Sequence, residues 1–116
     1  MNGISPQLQN QLTQFQQVQQ QLQAVSTQKI QMDAQKRELV RTKEELDKST
    51  GAVYKSAGSL LIKVEDVNAL KADVEESIEM MDVRISSLER QENSLKERYT
   101  VLQQTINAAM GNMPTQ

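Results

Sequence analysis

The chain has 116 residues, 37% of them hydrophobic but only 3% aromatic, and a formal net charge of −2. So few aromatic side chains exclude a bulky globular core, and four glycines and two prolines leave few places to turn, so long helices are the expected class. The absence of cysteine and histidine excludes thiol chemistry, Cys-based zinc sites and imidazole bases, and a pI near 5.2 argues against nucleic acid as the main partner.

The first predicted element is a helix over 5–50. It begins in the stretch QLQNQLTQFQQVQQQLQ, in which ten of seventeen residues are glutamine. A heptad nevertheless runs through it: Leu8, Phe15, Leu22, Lys29, Lys36 and Lys43 fall at a, and Gln11, Val18, Val25, Met32, Leu39 and Leu46 at d. A stripe of period 3.5 is a coiled-coil seam, so the glutamines coat a helix instead of forming a disordered tract. Ser5 is positioned as N-cap with Pro6 at the first helical position, and Thr50-Gly51 ends the element.

Residues 52–64, AVYKSAGSLLIKV, come next. Val53, Tyr54, Leu60, Leu61, Ile62 and Val64 have strand character around the turn chemistry of Ser56–Ser59, which predicts a β-hairpin; an irregular connection between the helices is the alternative. A second helix is predicted over 66–110, capped by Asp66 and followed by a flexible tail at 111–116. Its a positions are Lys71, Ile78, Ile85, Glu92, Tyr99 and Ile106; its d positions are Val67, Val74, Met81, Leu88, Leu95, Leu102 and Ala109.

Helices this long with stripes this narrow need a partner. An antiparallel pairing whose residue numbers sum to 117 puts Phe15 with Leu102, Leu22 with Leu95, Met32 with Ile85 and Leu39 with Ile78, and its midpoint falls on the turn. The same register sets Lys36 and Lys43 against the acid-rich stretch 65–82, and predicts a partly buried Lys29–Glu92 pair. The fold class is therefore mainly α: one domain made of a long antiparallel two-helix coiled coil joined by a single central β-hairpin. An isolated hairpin is marginal and has unpaired edges, so pairing with hairpins of other subunits into an intersubunit β-barrel is expected; folding of the hairpin over the helix ends is the alternative.

Charge marks the two ends of the chain. Residues 1–28 and 99–116 carry no charged side chain, and the register brings them together. That end can expose Leu8, Leu12, Phe15, Val18, Leu22, Leu102, Ile106, Met110 and Met113, which are the candidate binding residues, with glutamine amides beside them. No catalytic, cofactor or metal set is found. Glu44-Glu45 and Glu75-Glu76 lie on solvated helix surface, and Tyr54 and Tyr99 lack a basic setting for nucleic acid. No apolar run approaches membrane length and the uncharged start lacks a signal's basic region, so a cytoplasmic location without membrane contact is expected.

Three stretches together resemble the β-class subunit of prefoldin, in its archaeal form: LQNQLTQFQQVQQQLQ, VYKSAGSLLIKV, and LERQE at 88–92 followed by an apolar heptad. An α-class subunit has a second hairpin, for which the segment between these helices has no room. The resemblance implies a hexamer of two α-type and four β-type subunits, with hairpins forming the body and coiled coils projecting from it. It also implies an ATP-independent, non-enzymatic chaperone that holds unfolded clients at the coil tips and passes them to a group II chaperonin. By position, Val53, Tyr54, Leu60, Leu61, Ile62 and Val64 match the assembly hairpin and the two chain ends match the tips. A structural coiled-coil adaptor that oligomerises through its hairpin and binds a folded partner is the competing expectation.

Overall fold

The computed structural model describes residues 4–111, in the order α1 (Pro6–Lys48), β1 (Tyr54–Ala57), β2 (Leu60–Lys63) and α2 (Val67–Gly111). Both expected N-caps form. The Leu8 N–H donates to Ser5 Oγ at 3.0 Å, and the Ala69 N–H donates to Asp66 Oδ1 at 3.0 Å. Each cap satisfies one of the N–H groups that the first helical turn leaves without a partner. Helix α1 ends at Lys48, where the Ser49 N–H reaches back only three residues to the Leu46 carbonyl (3.3 Å), a tightened last turn. Helix α2 continues through Gly111, the residue at which the tail was expected to begin; 112–116 lie outside the described residues.

The chain divides into two compact units. The first contains the described parts of 1–29 and 87–116, and the second contains 30–86. In the first, α1 and α2 run antiparallel: the Phe15 and Tyr99 rings lie 4.7 Å apart between centroids, while Ser26 and Lys29 meet Glu92. In the second, Lys36 pairs with Asp82, Lys43 with Glu75 at 3.4 Å, and Asp47 with Lys71 at 3.6 Å. These pairs fall one position from the register that sums to 117, which is the reach of a lysine stem along the seam. Every expected a and d position of both helices is buried or half-buried, including the a-position lysines and Gln11.

The hairpin keeps the same register: Tyr54 faces Lys63, Lys55 faces Ile62, Ser56 faces Leu61 and Ala57 faces Leu60. The Val64 N–H extends the ladder to the Val53 carbonyl at 2.8 Å. Gly58 and Ser59 form a two-residue loop in which Gly58 has φ of 60° and Ser59 does not share the positive φ. This is the type II′ pattern, whose twist matches that of the flanking strands and which favours glycine at its first central position. The irregular connection is thereby excluded. Among the described residues no helix is long and apolar enough to cross a membrane.

Candidate functional site: an open hairpin and the charge-free helix ends

Strand alternation sorts the hairpin's side chains onto two faces. Val53, Ala57, Leu60, Ile62 and Val64 share one face with Lys55, and Tyr54, Ser56, Leu61 and Lys63 share the other. Neither face is covered. Leu61 is 75% exposed and Leu60 64%; Tyr54 and Ile62 are also exposed, and only Val53 and Val64 are half-buried. Folding of the hairpin onto the helix ends would have buried one of these faces, so among the described residues the hairpin is an open two-stranded sheet with both edges unpaired.

In the first unit the seam is closed. Leu8, Val18 and Ile106 are buried, Val18 at 1% exposure, and Leu12, Phe15, Leu22 and Leu102 are half-buried. Of the candidate binding residues only Met110 is exposed, and Met113 lies outside the described residues. Leu8, Phe15, Val18, Leu22, Leu102 and Ile106 lie on the a/d face that the heptad defines, and that face is turned inward here. Exposed apolar surface in this unit comes instead from Ile4, Val101 and Met110. Ile4 precedes the N-cap and Val101 occupies a c position, so a search restricted to the seam passes over both. In the second unit Ile30, Met80 and Val83 are exposed for the same reason.

The charge-free stretch of the first unit is bounded by one polar layer. Glu92, at an a position and only 9% exposed, accepts a hydrogen bond from Ser26 Oγ at 2.7 Å and another from Lys29 Nζ at 3.4 Å. Lys96 Nζ lies 3.8 Å from the same carboxylate, and Lys29 also pairs with Glu89 at 3.7 Å. The Ser26 hydroxyl, helped by Lys29, holds the Glu92 carboxyl below its ordinary 4.5, outweighing the opposite effect of burial. The Lys29–Glu92 pair was expected from the register; Ser26 was not. A serine at an e position of α1, across the seam from an a-position carboxylate of α2, gives no signal in a heptad reading, since it reads equally well as helix surface. Past this layer the groove walls are four amides, one leucine and one ring: Gln16, Gln19, Gln20, Leu22, Gln23 and Tyr99 line an open groove of about 770 Å³.

Two antiparallel helical segments closed on a heptad seam, with one open β-hairpin between the helices, define a hairpin-bearing coiled-coil subunit. The sequence profile of the prefoldin subunit family matches residues 9–113, and the chain belongs to that family, in its β class. It is similar to the prefoldin subunit beta of Methanocella arvoryzae, with 50% identity over 57 residues. It is also similar to that of Thermoplasma acidophilum, with 42% identity over 48 residues. These alignments cover 49% and 41% of this chain and 44% and 39% of the two relatives, so each spans less than half of either partner. The crystal structure of the prefoldin beta subunit from Thermococcus strain KS-1 superposes with a TM-score of 0.82 at 35% identity, covering 94% of this chain and 96% of that one.

Proposed function

We propose that this chain is a β-type subunit of a hexameric, ATP-independent holdase that binds unfolded proteins at its coil tips and passes them to a group II chaperonin in the cytoplasm. The observation that carries this reading is the distribution of charge. In a chain with 24% charged residues, none lies in 1–28 or 99–116, and the described parts of both stretches pack together in one unit. A surface that must accept many unrelated unfolded segments gains from having no charge with which to select among them. Coil ends open at low free-energy cost, so Leu8, Leu12, Phe15, Val18, Leu22, Leu102 and Ile106 become available when the tip opens. Ile4, Val101 and Met110 are already exposed in the closed form. Met110 is flexible and polarizable, which suits irregular apolar partners.

The open hairpin supports the assembly half of the proposal. Its uncovered faces and two free edges call for hairpins of an α-type subunit and of further β copies, closing into barrels that remove the edges. The test uses the subunit assembled with an α-type partner. Substoichiometric to stoichiometric amounts should suppress aggregation of several unrelated denatured proteins without ATP. Replacing Leu8, Phe15, Ile106 and Met110 with serine should abolish that protection while the mass of the assembly stays unchanged. An assembly that protects no client, but retains one folded partner at a fixed ratio, would identify a structural adaptor instead.

A further inference from the structure

The side chains that a tip-opening mechanism relies on are closed in the seam, yet the same unit presents a lateral groove that requires no opening. Gln16, Gln20 and Gln23 follow one another at i, i+4 and i+7 on α1, with Gln19 beside them and Leu22 and Tyr99 at the floor. All four glutamines are exposed, and their amides make no hydrogen bond within the described residues. Tyr99 is fixed by its ring contact with Phe15. No residue of the lining carries a charge.

We propose that this groove is a client subsite that holds an uncharged, extended polypeptide segment by its backbone, alongside the closed coil. The proposal rests on the holdase reading above and specifies the chemistry of what is held. Four residues of helix rise about 6.0 Å, and two residues of extended chain rise about 6.7 Å. Gln16 and Gln20 thus stand at nearly the repeat with which an extended chain presents an N–H and C=O to one side. A primary amide donates and accepts at once, so each glutamine can satisfy both groups of one client residue. Alternate client side chains then face Leu22 and the Tyr99 ring, a floor suited to aromatic and aliphatic groups. The empty charge inventory of the lining matches an uncharged segment, because a client charge here would lose hydration without gaining a partner.

The experiment uses the assembled oligomer and a fluorescently labelled, permanently unfolded peptide of alternating serine and tyrosine or leucine. Its affinity is read by anisotropy against wild type, Gln16→Ala/Gln20→Ala/Gln23→Ala, and a control Gln9→Ala/Gln17→Ala/Gln28→Ala on exposed positions outside the groove. Alanine favours the helix, so both triple variants keep α1. Loss of three modest amide hydrogen bonds weakens binding about tenfold in the groove variant and leaves the control unchanged. A second arm leaves the protein untouched: backbone N-methylation of the peptide should weaken its binding to wild type by a similar factor. Equal affinity of the two triple variants, or indifference to N-methylation, overturns the subsite while leaving the holdase reading intact. Wild type that neither binds the peptide nor protects any denatured protein overturns both.

Discussion

Val18 offers the sharpest test of how firmly the charge-free unit is closed. It is the largest side chain with less than 2% exposure, at a d position of α1. Val18→Ala removes two buried carbons, worth about 1.6 kcal/mol at roughly 0.8 kcal/mol per buried CH₂. The seam is narrow and its neighbours Leu22 and Phe15 are half-buried, so the cavity is partly filled by solvent and relaxation and adds little. At about 1.4 kcal/mol per tenfold, local opening becomes about 15-fold more frequent. Amide hydrogen exchange on the assembled oligomer reads this directly, as about 15-fold faster exchange in 8–28 and 95–110 with little change in 30–48 and 67–86. Leu46→Ala, in the second unit, should give the reverse pattern. If Val18→Ala accelerates exchange equally in both units, the local-opening argument is wrong. If it accelerates neither, the seam at Val18 contributes no closing free energy.

Lower pH should loosen the first unit. The folded-state pKa of Glu92 is depressed, so its contribution is present above the ordinary value of 4.5 and is lost as pH falls through the lower folded value; Glu92→Gln should remove that pH dependence from the urea midpoint. A Lys29→Leu/Glu92→Leu double variant should be more stable than Glu92→Leu or Lys29→Leu alone, as measured by thermal unfolding, because each single change leaves a partly buried charge with fewer partners. Gly58→Ala meets no atom within 4 Å, so any effect is conformational: about 1–3 kcal/mol against the hairpin, read as a loss of assembled mass at low concentration. Exchanging charges at Lys36 and Asp82 together should restore the pairing that Lys36→Glu alone disrupts, and the rescue should fade in high salt.

The sequence was most legible where one period controlled the outcome. Every a and d position that the heptad named in α1 and α2 is buried or half-buried, and the register that pairs Phe15 with Leu102 recurs in the hairpin as Tyr54 with Lys63. Ser5 and Asp66 were recognisable as caps because few residue types satisfy a first-turn N–H. For the candidate residues, the apolar face was legible but its state was not. A heptad says which face of Leu8, Val18 and Ile106 is apolar; whether that face is turned toward a partner helix or toward solvent is a balance of packing and fraying that no periodicity encodes. Side chains outside the period were missed for the complementary reason. Ser26 acquires its role from Glu92 on the other helix, and Val101 is exposed at a c position outside the seam.

The placement of charge also says what the tip gives up. Burial at a and d is nearly indifferent to a shift of one heptad, because apolar side chains of similar size replace one another; charged and buried polar groups break that degeneracy. In the second unit the Lys36–Asp82, Lys43–Glu75 and Asp47–Lys71 pairs perform this service along the paired helices. In the first it falls to a single charged layer, Ser26 and Lys29 with Glu92, and beyond it, among the described residues, the alignment rests on shape and on uncharged polar groups such as the half-buried Gln11. A register-fixing charge inside the tip would hold the seam shut and would also repel like-charged clients. Leaving it out makes the tip both easier to open and less selective, and confines the alignment problem to one buried carboxylate. Replacing both Thr13 and Gln104 with lysine, exposed positions of the charge-free stretches, puts this trade to the test. The pair should discriminate between acidic and basic unfolded clients that wild type binds equally, measured by competition for the assembled oligomer. Equal discrimination by wild type would mean that the absence of charge has no part in client choice.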